Sequence, residues 1–267
     1  MTFKSSDYKH IKIVSNIFKN KNTLLIMMYK LILILLTLPF SHTYSIKPKY
    51  YYDPRIHNMG NVGLGGQLHS LLAPYATKLI DNKCYNSVNI RQAILSKYNQ
   101  EFYNKYERVP KIIDLCCGTG TSTATNQLGI DSSLPMLEHA NKIHCGSKFI
   151  LANAENYGQP QEFDTATLMF AFHEMPNYAH HKIIKNAKRI TKHDIIILDI
   201  SPNYSPSKLM LYGEPYLLNY KATIQDLLQK HQFNYLEYIP NHVGLWIYSH
   251  NNKIKLNILS SQSQINT

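Results

Sequence analysis

Acidic residues are scarce in this chain. Its 267 residues carry 17 Asp and Glu against 28 Lys and Arg, a formal net charge of +11. An excess of that size invites a nucleic-acid or anionic-surface partner. The lysines, however, are scattered among Asn, Ile and Tyr with no dense basic block, which disfavours a nucleic-acid binder. Cysteine is also sparse: Cys84, Cys116, Cys117 and Cys145 form no C-x-x-C pair and no metal-ligand spacing. Free, reduced thiols are expected, with the adjacent Cys116 and Cys117 as small apolar fillers at a strand end. No internal repeat is present. The length suits one α/β domain with an N-terminal extension.

That extension reads as residues 1–49. Leu31 to Phe40 is an uncharged apolar run preceded by Lys30 and followed by Ser41-His42-Thr43-Tyr44-Ser45. It falls short of the about 20 residues that span a bilayer comfortably. Read from Met28, the segment has the basic, apolar and small-residue regions of a signal peptide with cleavage near Ser45, a single membrane anchor being the alternative. Met27 or Met28 is then the natural start. Ser41 to Arg55 is hydroxylated and basic, with Asp53 its one acidic residue, which suits a bipartite leader into an organelle such as a plastid. Membrane contact through the apolar segment is expected on this reading. If the segment is not used, the protein is cytoplasmic.

Beyond the leader, residues 50–108 read as an N-terminal helical cap. A glycine-punctuated stretch from Tyr50 to Gly66 leads into a helix over 67–80, where Leu68, Leu71, Leu72, Tyr75 and Leu79 recur at helical spacing. A second helix covers 87–107, with Leu95, Tyr98, Phe102 and Tyr106 on one stripe and Pro110 closing it. Residues 109–250 then alternate strand and helix, as a doubly wound sheet does. The expected strands are Lys111 to Ile113, Leu128 to Asp131, Lys148 to Leu151, Asp164 to Phe172 and Ile195 to Ile200; the fourth is apolar nearly throughout and so expected to be central. Helices are expected over 134–143, 178–191 and 222–232. The last two apolar runs, 235–239 and 243–248, are too close for a crossover and must pair antiparallel. The fold class is therefore α/β: a doubly wound, mostly parallel seven-stranded sheet with a C-terminal antiparallel hairpin. Residues 251–267 read as a flexible tail.

The chemistry concentrates at the first strand's end. Asp114-Leu115-Cys116-Cys117-Gly118-Thr119-Gly120 is an acidic strand terminus followed by a glycine-bearing turn, where small side chains let backbone approach a ligand. Thr119 to Thr123 reads as a helix start whose N–H groups and dipole face the same crevice. With the second carboxylate, Asp131, and the terminal hairpin, the chain resembles class I S-adenosylmethionine-dependent methyltransferases over about 109–250. The stretches IIDLCCGTG, GIDSSLPMLEHA, FILANAEN and FDTATLMFAFHEMP match that family's successive motifs in order.

The resemblance implies S-adenosyl-L-methionine as cofactor and assigns residues to it. Backbone at Gly118 and Gly120, bordered by Cys116, would meet the zwitterionic methionine end, and Asp114 would favour its ammonium. Asp131 would accept both ribose hydroxyls. Asn153 and Ala154 would lie beside the adenine, with Ser132 and Met136 lining its pocket. His173 and Glu174 match the acceptor side, either as proton-removing or orienting groups or as a packed histidine and a dipole-favouring carboxylate. Two departures stand out. Only ten residues separate Gly120 from Asp131, which shortens the intervening helix, and no Pro-Gly-Gly follows Arg189 to Lys192.

The absence of an Asn-Pro-Pro-Tyr-like sequence after the fourth strand disfavours base amino methylation, and neither Cys116 nor Cys117 is placed to attack a cytosine. A small-molecule or lipid-like acceptor is expected, with Ser201 to Tyr220 and Tyr50 to Tyr52 as either its aromatic wall or plain core. The alternatives are an RNA or protein methyltransferase, or a catalytically weak methyltransferase-like binding protein. Mapping the N-terminus of the mature protein tests the leader: it should begin near Ser45, and a terminus before Met27 contradicts this reading.

Overall fold

The computed structural model describes residues 49–250. Residues 1–48 and 251–267, which hold the expected leader and tail, lie outside the described residues. The elements are α1 (Gly63–Cys84), α2 (Ile90–Tyr106), β1 (Ile112–Leu115), β2 (Leu128–Asp131), α3 (Leu134–Ile143), β3 (Lys148–Leu151), β4 (Phe163–Met169), α4 (Asn177–Ile190), β5 (Thr191–Ile200), α5 (Lys208–Gly213), α6 (Leu217–Lys230), β6 (Asn234–Ile239) and β7 (Val243–Ser249). The strands form one seven-stranded sheet in the order β3-β2-β1-β4-β5-β7-β6. Strands β1 to β5 pair parallel, and β7 pairs antiparallel with both β5 and β6. The doubly wound sheet and its terminal hairpin are as expected.

Side chains alternate across the sheet and build two cores. On one face Ile113, Leu115, Ala166, Leu168, Ile195, Ile197 and Trp246 pack with α4 and α6, through Ala179, Ile183, Ala187, Tyr220 and Ile224. On the other, Ile112, Met169, Ile196, Leu198, Leu245 and Ile247 pack with α2, through Ile94, Leu95, Tyr98 and Phe102. Strand β4 is buried along its whole length, as a central strand must be. The stripe read on α2 is thus one layer of the sheet domain, and packing is continuous across 108–109. Asn89 caps the start of α2 by accepting the Gln92 N–H, and Glu107 ends it in the left-handed region at φ 54°, three residues ahead of Pro110.

Several boundaries move for physical reasons. Helix α4 runs straight into β5 at Thr191, whose hydroxyl donates to the Ala187 carbonyl, so the turn expected after Lys192 does not exist. Strand β4 stops at Met169 because Phe170 turns to positive φ (56°), and residues 172–174 form a single 3-10 turn. The largest change concerns the expected helix over 119–123. That stretch is a series of turns, closed by Gly120 N–H to Cys117 O (2.9 Å) and Thr123 N–H to Gly120 O (3.1 Å). Ten residues cannot make a helix and still return the chain to β2, so no helix dipole faces the crevice here.

Tyr98 pins α2 to the sheet. Its hydroxyl, fully buried, donates to Asp194 Oδ2 at 2.7 Å, and Ser249 donates to the other oxygen of the same carboxylate. Tyr98→Phe leaves that buried carboxylate short of a donor and is expected to cost about 1–3 kcal/mol. Tyr98→Ala, which also opens a cavity, should cost about 3–5 kcal/mol. Urea denaturation measures both.

Candidate functional site

Ligand crevices in open α/β sheets lie outside the strand carboxyl ends where strand order reverses, here between β1 and β4. The register places Asp114 beside Thr167 of β4 and Gly129 of β2. Asp114 is buried and accepts three hydroxyls: Ser122 and Thr123 on Oδ2, both at 2.7 Å, and Thr167 on Oδ1 at 2.9 Å. Burial raises its pKa, and the three hydroxyls oppose that rise. Asp114 therefore faces the turn and staples it, in the place of the missing helix. Gln92 of α2 ties the same turn from outside, donating to the Thr121 carbonyl at 3.3 Å.

The turn itself runs through three residues at positive φ: Cys116 (60°), Gly118 (53°) and Gly120 (81°). The two glycines serve different ends. A Cβ on Gly118 would meet nothing within 4 Å, so its edge is open for a ligand. A Cβ on Gly120 would meet His144 and Phe149 at 2.8 Å, so that glycine is required by packing. Neither N–H is free to greet a ligand: Gly118 donates to Asp131 Oδ2 at 2.9 Å, and Gly120 to Cys117 O. The expectation of free backbone donors at both positions is corrected accordingly. The Cys116 and Cys117 thiols are pushed well up by burial and nearby carboxylates, so neither is a nucleophile. Among the described residues the cysteines are all free.

Asp131 ends β2 beside Gly118's open edge. Each of its oxygens accepts one backbone N–H, from Gly118 on Oδ2 and from Ser133 on Oδ1 at 2.8 Å. One lone-pair direction remains on each oxygen, the acceptor pattern that suits a vicinal diol. Burial lifts its pKa to about 6 against those two hydrogen bonds. Ser133, next to the expected Ser132, caps α3 and donates to the Asn61 carbonyl at 2.6 Å. On the next strand end, Asn153 accepts the Glu155 N–H at 2.8 Å and the Ala154 carbonyl accepts from Asn186 at 2.9 Å. The open edge of Gly118 and the two remaining acceptor directions of Asp131 can take a diol-bearing ligand.

His173 and Glu174 stand at the end of β4, and each has a partner that the sequence reading missed. Asp199, the last acidic residue of β5, accepts from His173 Nδ1 at 2.6 Å and from the Phe172 N–H at 2.8 Å. Burial opposes charge on His173, but Asp199 outweighs it and the pKa rises to about 9. Glu174 lies 3.0 Å from His57 Nε2, and the other ring nitrogen of His57 lies 3.0 Å from Glu214. Burial disfavours the Glu174 carboxylate, yet His57 brings its pKa down to about 2. His57 in turn is raised well above its usual value by the two glutamates despite burial. His57 and Asn58 both hold positive φ (49° and 57°), a strained pair kept in place by this bridge.

The bridge fastens the segment 50–61 across the crevice. Tyr50 donates to Glu155 at 2.9 Å, and Tyr216 donates to Asp53 at 2.8 Å. Residues 53–58 thus meet 213–216, while Tyr50 reaches Glu155 and Tyr178. His69 of α1 supports the bridge from behind, its Nδ1 3.2 Å from the Gly60 carbonyl, with its pKa held down to about 4 by burial and the His57 charge. The signal for Asp199 was available, since it repeats the acid-at-strand-end pattern of Asp114 and Asp131. His57 and Glu214 carry no such signal.

Residues 112–194 match the family model described as a methyltransferase domain. Over that stretch, about a third of its length, the chain is similar to a methyltransferase domain. No curated protein matches it in sequence. Among solved structures, magnesium protoporphyrin IX methyltransferase from Synechocystis PCC 6803, with bound S-adenosylmethionine, shares 12% identity over 78% of this chain and 99% of that one, at a TM-score of 0.51. The plantazolicin methyltransferase BamL, in complex with a substrate analogue and S-adenosylhomocysteine, shares 17% identity over 68% and 94%, at 0.47. In this chain the sheet runs β3-β2-β1-β4-β5-β7-β6 with acidic strand ends, and a hydroxyl-stapled loop follows the glycine turn.

The His173–Asp199 pair gives a pH signature. A histidine whose folded pKa is raised contributes stability that is complete below about pH 6.5 and is lost as pH rises through about 9. Denaturation from about pH 6 to about pH 10 should show that decline, and Asp199→Asn should flatten it.

Proposed function

We propose that the chain is an S-adenosylmethionine-dependent methyltransferase that acts on a small-molecule or lipid-like acceptor by direct displacement. The observation that carries the reading is the open edge of Gly118 beside Asp131, at the switch point of a methyltransferase-type sheet. Asp131 would take the ribose hydroxyls on its two remaining lone pairs, and Asn153 and Ala154 would border the base. When bound, the cofactor supplies a methyl group on a positively charged sulfur, open to attack by a nucleophile in line with the bond that breaks.

The chain's own contribution is alignment and exclusion of water. Against burial, Asp199, on Nδ1, favours the protonated form of His173 and raises its pKa. His173 therefore orients an acceptor by donating a hydrogen bond rather than by removing a proton. Glu174, held by His57, anchors the strap over the acceptor side. Such a site suits a nucleophile that arrives with its lone pair ready. The missing Asn-Pro-Pro-Tyr-like sequence and the aromatic segments at 50–52 and 201–220 favour a small or lipid-like acceptor over a base in nucleic acid.

Calorimetry with S-adenosylmethionine and S-adenosylhomocysteine tests the cofactor, and no binding at millimolar ligand would remove the enzyme reading. Asp131→Asn should weaken binding roughly 10- to 100-fold, the effect of about 1.5–3 kcal/mol in charge-assisted hydrogen bonds. A labelled-methyl assay on lipid, protein and RNA fractions of the host then identifies the acceptor class, and label confined to RNA would overturn the small-molecule reading.

A further inference from the structure

Helix α1 carries apolar side chains on its outward side as well as on the side that half-buries Leu72 and Leu79. The side chains it buries are small or polar: Gly66, His69, Ser70 and Asp81. One apolar stripe faces outward, with Leu64, Leu68, Leu71 and Tyr75 exposed by 75%, 38%, 51% and 56%. These positions follow the i, i+4, i+7, i+11 spacing of a single helical face. Of the stripe legible in the sequence, Leu68, Leu71 and Tyr75 point outward, whereas Leu72 and Leu79 are half-buried. An outward leucine stripe on a 22-residue helix marks a surface that something else covers.

Charge indicates what covers it. The one acidic side chain of α1, Asp81, is buried and paired with Arg91 at 3.1 Å, while Lys78 and Lys83 stand exposed near the stripe's C-terminal end. Leucines and a tyrosine flanked by lysines make the pattern of a helix that lies in a bilayer interface. Four side chains also fall well short of the about 800 Å² per partner that a stable protein interface buries. Among the described residues no helix is long and apolar enough to cross a membrane, so the contact is one of lying on the surface.

We propose that the outward face of α1 docks this protein on an anionic lipid surface. Its N-terminal end lies within two residues of Asn61, whose carbonyl is held by Ser133 at the crevice, and His69 links it to the strap. The docked face therefore leads to the crevice mouth. That the docked face admits a lipid-like acceptor rests on the function proposed above; docking itself does not.

The test is co-sedimentation of the full chain with vesicles of phosphatidylcholine and phosphatidylglycerol in a 3:1 ratio. The wild type should bind, less so to phosphatidylcholine alone, and Leu68→Glu/Leu71→Glu should lower the bound fraction at least tenfold. Both side chains are exposed, so thermal midpoint and S-adenosylmethionine affinity should not change. Wild type that fails to bind, or a double variant that binds as well, overturns the proposal. So does a wild-type dimer in solution that the variant splits, which would assign the face to a second copy. Vesicle binding without cofactor binding would leave docking intact and remove the methyltransferase reading instead.

Discussion

Asp114 has 1% of its surface exposed at the end of β1, and a carboxylate buried that deeply destabilises a fold by several kcal/mol unless hydrogen bonds replace its water. Ser122, Thr123 and Thr167 supply them, and the crevice depends on the result. Two of the donors belong to the loop after the glycine turn, so satisfying the carboxylate also fixes that loop. With the loop fixed, Gly118 is presented with its edge open and its N–H on Asp131. In a domain with a longer first helix the dipole would help hold an anionic group there. Here side-chain hydroxyls set the geometry instead.

The second constraint is the charge alternation across the mouth. Asp199, His173, Glu174, His57 and Glu214 place carboxyl and imidazole groups in turn, from the end of β5 to the end of α5. Each ion pair is partly desolvated, and removing one member would strand its neighbour. His57 is the only member of this series drawn from the N-terminal segment, and it accepts an unfavourable backbone conformation to be there. The strap is thereby part of the site rather than a flexible lead-in.

Much of the fold was legible in the sequence because its signals are local. Strands β2 and β3 and helix α3 lie where periodicity and flanking residues put them, and the seven residues of β4 are as buried as their composition implies. Asp114 and Asp131 were found for the same reason, as acids at strand ends beside a glycine turn. The errors have a common cause. Whether ten residues make a helix or a set of turns depends on the distance back to β2, which no local signal reports. That Gly120 makes room for Phe149 and His144, while Gly118 faces open space, depends on residues far along the chain.

The sequence by itself determined the strand order's ingredients, the central apolar strand, the terminal hairpin and the two carboxylates at the ends of β1 and β2, because periodicity, turn chemistry and spacing are properties of neighbouring residues. Only the tertiary structure decided what those groups do. It turned Asp114 inward onto three hydroxyls and set Asp199 against His173. It drew His57, more than a hundred residues away from Glu174, across the crevice mouth. It also set Leu68, Leu71 and Tyr75 of α1 outward, since a periodic pattern defines a face but only packing defines which way that face points.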